Sequence, residues 1–200
     1  MTAQAMKQTL RQSIITGRAA LAPELRAQLS REIAARLLQL APYHKAATVL
    51  GYMHFGAEFI SEPWLQQVLR GGKRLLLPRV NPARRELEVY HVEDIGAQLA
   101  PGAYGIREPQ PDRCTPLERL QEIGFILLPG VAFTRDGARL GYGGGYYDKL
   151  LERLQHGPPL VAAAYSMQIV GDIPQETTDR KVEWLVTESE TMDCGKMVRG

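Results

Sequence analysis

The stretch of this chain best suited to chemistry is RLGYGGGYYDKLL, Arg139 to Leu151, where Gly141, Gly143, Gly144 and Gly145 fill four of five consecutive positions. An ordered glycine gives up more backbone entropy than any other residue, so such a run needs a reason. One reason is close approach of a ligand to bare main chain, whose N–H groups suit an anion such as phosphate. Arg139 before the run and Lys149 after it add positive charge, while Asp148 sets a carboxylate beside the cradle. A carboxylate is unfavourable next to phosphate unless a cation such as Mg2+ lies between them. Two plainer readings stay open on these residues alone: a loop cramped by packing, and an aspartate that only stabilises the N-terminus of its own helix. The run lacks the Gly-Lys-Ser/Thr ending of a Walker loop and the spaced glycines of a dinucleotide fingerprint. Near the N-terminus, Lys7 and Arg11 stand four apart and share a helix face. That pair suits a grip on phosphates, and equally an ordinary solvated basic face.

Positioning such groups requires a scaffold, and the pattern of the chain supplies one. Two helices open it, from Met6 to about Ala20 and from Glu24 to Leu40, the second with Pro23 at its mouth. ATVLGYM, Ala47 to Met53, is a short apolar run of the kind buried on both faces of a sheet. SEPWLQQVLRGG then reads as a helix with Ser61 as N-cap and Gly71 as its stop. KRLLLPRV and LEVYHV read as strands, the latter alternating as a half-exposed edge does. A short helix is expected from about Pro116 to Glu122, and FILLPGVAF, Phe125 to Phe133, is expected as one buried strand leading directly into the glycine loop. Helix YYDKLLERL and strands PLVAAAY and KVEWLVTE complete the series. Alternating strands and helices predict an α/β fold in a single domain over residues 1–200, a mostly parallel sheet with helices on both faces.

Composition narrows the function classes. With 200 residues, 44% hydrophobic and 23% charged, the chain has the make-up of an ordinary globular domain able to fold without staples. A net charge of +2 and the lack of a basic tract interleaved with aromatics argue against a nucleic-acid binder. Cys114 and Cys194 belong to no metal-ligand or redox spacing and read as free thiols. The first twenty residues carry charges and glutamines where a secretory signal needs an unbroken apolar stretch, and no apolar run approaches a membrane span of about 20 residues. A cytoplasmic protein, without membrane partner, is the expectation.

LPGVAFTRDGARLGYGGGYYDKLL closely resembles the signature of the 5-formyltetrahydrofolate cyclo-ligase family, also called methenyltetrahydrofolate synthetases. KQTLR, GYMHFGAEFIS, GKRLLLPRV, GAYGIREP and IPQETTDRKVEWLVTE extend the resemblance, in order, over nearly the whole chain. It implies an enzyme that uses ATP and Mg2+ to close 5-formyltetrahydrofolate into 5,10-methenyltetrahydrofolate, releasing ADP and phosphate through a phosphorylated imidate. Phosphoryl transfer of this kind needs positioning and charge neutralisation, and no catalytic protein nucleophile is implied. The resemblance assigns Lys7, Arg11, Arg139, Gly141, Tyr142, Gly143, Gly144, Gly145, Tyr146 and Tyr147 to ATP, with Tyr146 and Tyr147 also reaching the folate. It assigns Asp148 and Asp179 to Mg2+, and Met53, Glu58 and Tyr104 to the folate, Glu58 taking the amino-pyrimidine edge of the pterin.

Each of these residues has a plainer role beside the implied one: a turn for Asp179 and Tyr104, core packing for Met53 and for one of Tyr146 and Tyr147. The chain departs from some relatives by Tyr142, where they place a basic residue, and by Glu183, where many read aspartate. A monomer is expected. Two rival functions remain: a folate-binding or regulatory protein without turnover, and a sugar-phosphate isomerase or acyl-CoA enzyme on a similar sheet. ATP consumption separates them.

Overall fold

Val49 and Leu50 are chain neighbours, both fully buried, and they sit in different apolar clusters on the two faces of one sheet. The computed structural model describes residues 2–154, 157–175 and 180–197. The chain opens with α1 (Ala3–Ala19), α2 (Pro23–Gln39) and the short α3 (Ala41–Lys45) before β1 (Thr48–Leu50). Next come α4 (Glu62–Arg70), β2 (Arg74–Asn81), β3 (Glu86–Val92), α5 (Ile95–Gln98), β4 (Leu99–Pro101), β5 (Arg107–Pro109) and β6 (Thr115–Pro116). The second half runs through β7 (Phe125–Leu128), β8 (Ala132–Phe133), β9 (Arg139–Leu140), α6 (Tyr146–Glu152), β10 (Leu160–Ala163), β11 (Trp184–Val186), β12 (Thr191–Asp193) and α7 (Cys194–Met197).

Eight strands form one sheet in the order β12-β11-β10-β7-β1-β2-β3-β6. The five central strands, β11 to β2, are parallel, and the two ends are antiparallel. Successive residues alternate between faces with the period of two that a pleated strand imposes. Val49, Leu75, Leu77, Phe125, Leu127 and Val161 meet the apolar sides of α2, α3 and α4. Leu50, Leu76, Ile126, Leu128, Leu160 and Ala162 meet Leu150 and Leu151 of α6 on the other face. The expected mostly parallel sheet, covered by helices on both faces, is therefore what the chain forms. A third, smaller cluster joins Ile14 of α1 to Val131, Ala132, Ala138, Leu140 and Ile173.

The structure differs from the sequence reading in four places. FILLPGVAF is two strands, because Pro129 and Gly130 turn the chain out of the sheet after Leu128; Ala132 and Phe133 then pair with Arg139 and Leu140 as a separate hairpin. The glycine loop accordingly follows that hairpin and not the buried strand. The helix expected at Pro116 to Glu122 shrinks to one 3-10 turn at Leu120–Glu122, since Thr115 and Pro116 pair with β3 and the Leu117 N–H donates to the Val89 carbonyl. That pairing also gives β3, read as an edge, a neighbour on each side at Tyr90 and His91. Ser61 precedes α4 without capping it: its hydroxyl donates to the Tyr52 carbonyl at 2.7 Å and accepts from the His54 N–H at 3.0 Å. Gly71 does close that helix. Both cysteines are free and buried, as expected.

Candidate functional site

A pocket of about 390 Å³ opens beyond the carboxyl ends of β1 and β7. From β1 the chain places β2 on one side and later β7, β10 and β11 on the other, and ligands in open α/β sheets settle at such a reversal of strand order. Tyr52, Met53, Phe55 and Glu58 from the segment after β1 form one wall, and Pro78, Val80 and Leu87 of the β2–β3 hairpin contribute another. Tyr104 to Glu108 and the glycine loop from Gly141 to Gly145, with Tyr146, Tyr147 and Asp148, close the remainder.

Seven residues expected from separate parts of the chain therefore share one cavity with the glycine loop: Met53, Glu58, Tyr104, Arg139, Tyr146, Tyr147 and Asp148. Met53 is both a core residue and a pocket wall. The phenols of Tyr104 and Tyr146 lie 3.2 Å apart, and that bond is the main cause of a raised Tyr146 pKa. Tyr146 and Tyr147 both pack against the apolar cluster under α6 while lining the pocket, so neither is only an anchor. Burial, with the Glu58 charge second, drives the Tyr147 phenol far above its ordinary value. Tyr104 holds a left-handed backbone at φ 59°, a conformation that costs an L-residue energy, and it leaves the ring exposed at the pocket rim.

The loop itself is held from behind by α1. The Arg11 Nε–H donates to the Gly141 carbonyl at 2.7 Å. Gly143 at φ 93° and Gly145 at φ 70° use backbone that side-chain-bearing residues rarely adopt, which accounts for glycine there irrespective of any ligand. Neither Lys7, half-buried on α1, nor Arg11 is part of the pocket lining; both lie on the helix behind the loop. Arg139 is nearly buried, and its Nη2–H donates to the Asp148 carboxylate at 2.5 Å while Nη1 donates to the Pro129 carbonyl at 3.3 Å. Its Nε is buried and without a partner among the described residues. Asp148 is half-exposed at the pocket. Asp179, the expected second metal ligand, lies outside the described residues. Among the described residues no group of three or more His, Cys, Asp or Glu forms a metal cage. Glu183, the other departure, accepts from the Leu160 N–H through its carboxylate and keeps β10 and β11 in register.

The structure joins Tyr142 to two buried charges. Its hydroxyl donates to Glu58 Oε1 at 2.6 Å and accepts from Arg18 Nη2 at 2.7 Å. Glu58 is 4% exposed, and its other oxygen accepts from the Phe55 N–H at 2.8 Å. Burial pushes the Glu58 carboxyl upward, opposed by the bonds from Tyr142 and Phe55 and by the Arg18 charge. Arg18, 2% exposed, was missed from sequence, though it stands seven residues after Arg11 on the same helix face. Glu108 was also missed: a second buried carboxylate on the pocket wall, accepting from the Val80 N–H at 3.3 Å, with burial raising its pKa. Nothing in GIREP distinguishes it from a solvated glutamate.

A model of the 5-formyltetrahydrofolate cyclo-ligase family matches residues 3–188. The 5-formyltetrahydrofolate cyclo-ligase of Escherichia coli K12 is 32% identical over 179 residues, covering 88% of this chain and 97% of that protein. The mitochondrial 5-formyltetrahydrofolate cyclo-ligase of Arabidopsis thaliana is 33% identical, covering 92% of this chain and 74% of its own. Among solved structures, the 5,10-methenyltetrahydrofolate synthetase of Aquifex aeolicus superposes with a TM-score of 0.83 at 34% identity, over 94% of this chain and 93% of that one.

Proposed function

The chain belongs to the 5-formyltetrahydrofolate cyclo-ligase family, and on that premise we propose that it closes 5-formyltetrahydrofolate to 5,10-methenyltetrahydrofolate at the expense of ATP. The observation that carries this reading is the buried carboxylate of Glu58 in an apolar pocket that the glycine loop also lines. An ionised carboxylate with open lone pairs suits the paired N–H donors of an amino-pyrimidine ring, and the tyrosines around it suit the flat pterin. Met53, Tyr104, Tyr146 and Tyr147 then line the folate.

On the nucleotide side, Gly141, Gly143, Gly144 and Gly145 offer main chain to the phosphates, and Lys7, Arg11 and Arg139 supply positive charge from α1 and β9. Among the described residues the buried Nε–H of Arg139 has no acceptor, so a small movement of its side chain would offer it to a phosphate oxygen. Asp148, and Asp179 by resemblance, would hold Mg2+, an ion that keeps waters and phosphate oxygens and asks the protein for only one or two carboxylates. Mg2+ supplies neutralisation of the phosphate charge. The Arg139–Asp148 pair, a cation and an anion side by side, supports a site that takes phosphate and metal together.

In this scheme the formyl oxygen attacks the γ-phosphorus and ADP leaves. The neighbouring folate nitrogen then attacks the formyl carbon, and phosphate departs as the ring closes. A formamide oxygen is a poor leaving group and phosphate a good one, so the protein's task is to align the two substrates and keep water out.

Mixing the protein with ATP, Mg2+ and 5-formyltetrahydrofolate should produce the methenyl absorbance, and withholding ATP or chelating the metal should abolish it. Product formed at full rate without ATP sinks the cyclo-ligase reading. Folate binding without turnover under complete conditions favours a binding protein instead.

A further inference from the structure

Arg18 and Glu58 are buried charges of opposite sign that do not touch. Between them stands the hydroxyl of Tyr142, accepting from Arg18 Nη2 and donating to Glu58 Oε1, so that three residues from α1, the segment after β1 and the glycine loop form one hydrogen-bonded line. Arg18 is further held by the Gly130 carbonyl at 3.5 Å and lies 5.9 Å from the centre of the Tyr142 ring. A direct bidentate pair between guanidinium and carboxylate would occupy both oxygens of Glu58. The phenol takes one lone pair of Oε1, the Phe55 N–H takes one of Oε2, and a carboxylate has about four. Two acceptor sites therefore stay open on a carboxylate whose charge is balanced through the intervening hydroxyl.

We infer that Arg18 and Tyr142 are positioning residues for substrate recognition: a phenol relay that keeps Glu58 ionised and aimed while leaving two of its lone pairs for a ligand edge with two N–H donors. The inference rests on the proposed folate reading for the identity of that edge, a pterin, though not for the relay itself. Among the described residues the phenols of Tyr52 and Tyr147 also feel the Glu58 charge, and burial holds both neutral. Arg18 is thus the cation that offsets Glu58, and the Tyr142 hydroxyl is its means of contact. Because that hydroxyl is carried by the glycine loop, the loop has a part in the folate half of the site.

The experiment has two arms on the full chain. In the first, the Glu58 side-chain carboxyl is followed by its 13C shift against pH in protein without ligand, assigned by its disappearance in Glu58→Gln. Tyr142→Phe and Arg18→Met should each move its midpoint upward, with Arg18→Lys lying between parent and Arg18→Met. Tyr142→Phe removes one oxygen and keeps the ring, so it stays informative even where Arg18→Met fails to fold. An unmoved midpoint in folded Tyr142→Phe overturns the relay. In the second arm, 5-formyltetrahydrofolate is titrated at pH 6 and pH 8. Tyr142→Phe should bind more weakly than the parent at pH 6, by up to about tenfold for a one-unit displacement when both midpoints lie above that pH, and equally at a pH well above both. Equal affinity of Tyr142→Phe and parent at both pH values removes the pair from substrate recognition. A parent chain that binds no 5-formyltetrahydrofolate defeats the folate reading and the pterin role together, while the first arm still decides whether Arg18 and Tyr142 govern Glu58.

Discussion

Among the described residues Glu58 meets two protein donors in a space with almost no access to solvent, which leaves its remaining lone pairs for a ligand. Glu58→Gln keeps the shape and replaces a charged acceptor by an amide that must present an NH2 somewhere. We expect 5-formyltetrahydrofolate affinity to drop by about 2 kcal/mol, the scale of a hydrogen bond to a charged group, while ATP affinity is retained. Calorimetric titration with each ligand checks this, and parental folate affinity would remove Glu58 from the site. The sequence made the carboxylates at 58 and 148 legible because each sits in a motif with other unusual residues. Arg18 was not legible, because its significance comes from a partner 124 positions away that lies close only after folding. The partners of Tyr142 were hidden for the same reason: a residue inside a phosphate-type loop carries no mark in its neighbours that its hydroxyl meets Glu58 and Arg18.

The glycine loop poses a question at the scale of the element, whether its composition serves backbone geometry or ligand approach. The structure ties Gly145 to backbone geometry and sets Gly144 against the Tyr146 ring. A Cβ at Gly145 would meet nothing within 4 Å, but the backbone there is left-handed, so Gly145→Ala should cost about 1 to 2 kcal/mol of stability through strain. A Cβ at Gly144 would fall 2.9 Å from the Tyr146 ring. Gly144→Val must therefore displace a pocket wall, and we expect ATP affinity to fall by about 2 kcal/mol from overpacking at a crowded site. Thermal unfolding paired with ATP titration distinguishes them: Gly144→Val that melts early yet binds ATP normally would return this glycine to a structural role. Elements with strong periodicity, α1, α2 and the buried strands, were readable within a few residues. The breaks at Pro129–Gly130 and Pro116 were not, since apolar content continues through the first, and a sheet edge claims the backbone at the second.

For the whole molecule, pH acts through carboxylates of opposite character. Asp136 is lowered, chiefly by its bond from Lys181, and Glu190 chiefly by its bond from Arg135; both tie exposed parts of the chain together. A depressed carboxylate contributes stability above its unfolded pKa and loses it as pH falls through the folded one. Asp136→Asn should therefore melt below the parent at pH 7, by under about 1 kcal/mol for so exposed a pair, and the difference should shrink as pH falls below the unfolded value and through the lowered folded one. A gap that does not shrink in acid would assign the effect to the Thr134 contact instead of the charge. Glu58 and Glu108 are shifted the other way by burial, so they cost the fold least in acid and oppose this trend. The mostly parallel sheet with helices on both faces followed from alternation of strands and helices, a global regularity that survives local misreadings. What alternation did not reveal is how α1 is attached. Its apolar side joins the small cluster with Ile14, Val131, Ala132, Ala138, Leu140 and Ile173, apart from the two cores of the sheet, and its arginines reach Gly141, Tyr142 and Gly130 across more than a hundred residues. Closing so long a loop is entropically costly, and the cluster that repays it is small, so α1 should detach in a partial opening well below global unfolding. Amide hydrogen exchange should then be faster at Leu10 to Ile15 than at Ile126 to Leu128, and equal protection would refute this. Each such opening withdraws Arg18 from Tyr142 with the sheet intact, so on warming or brief exposure to protease, the enzyme should lose its turnover before its strands melt.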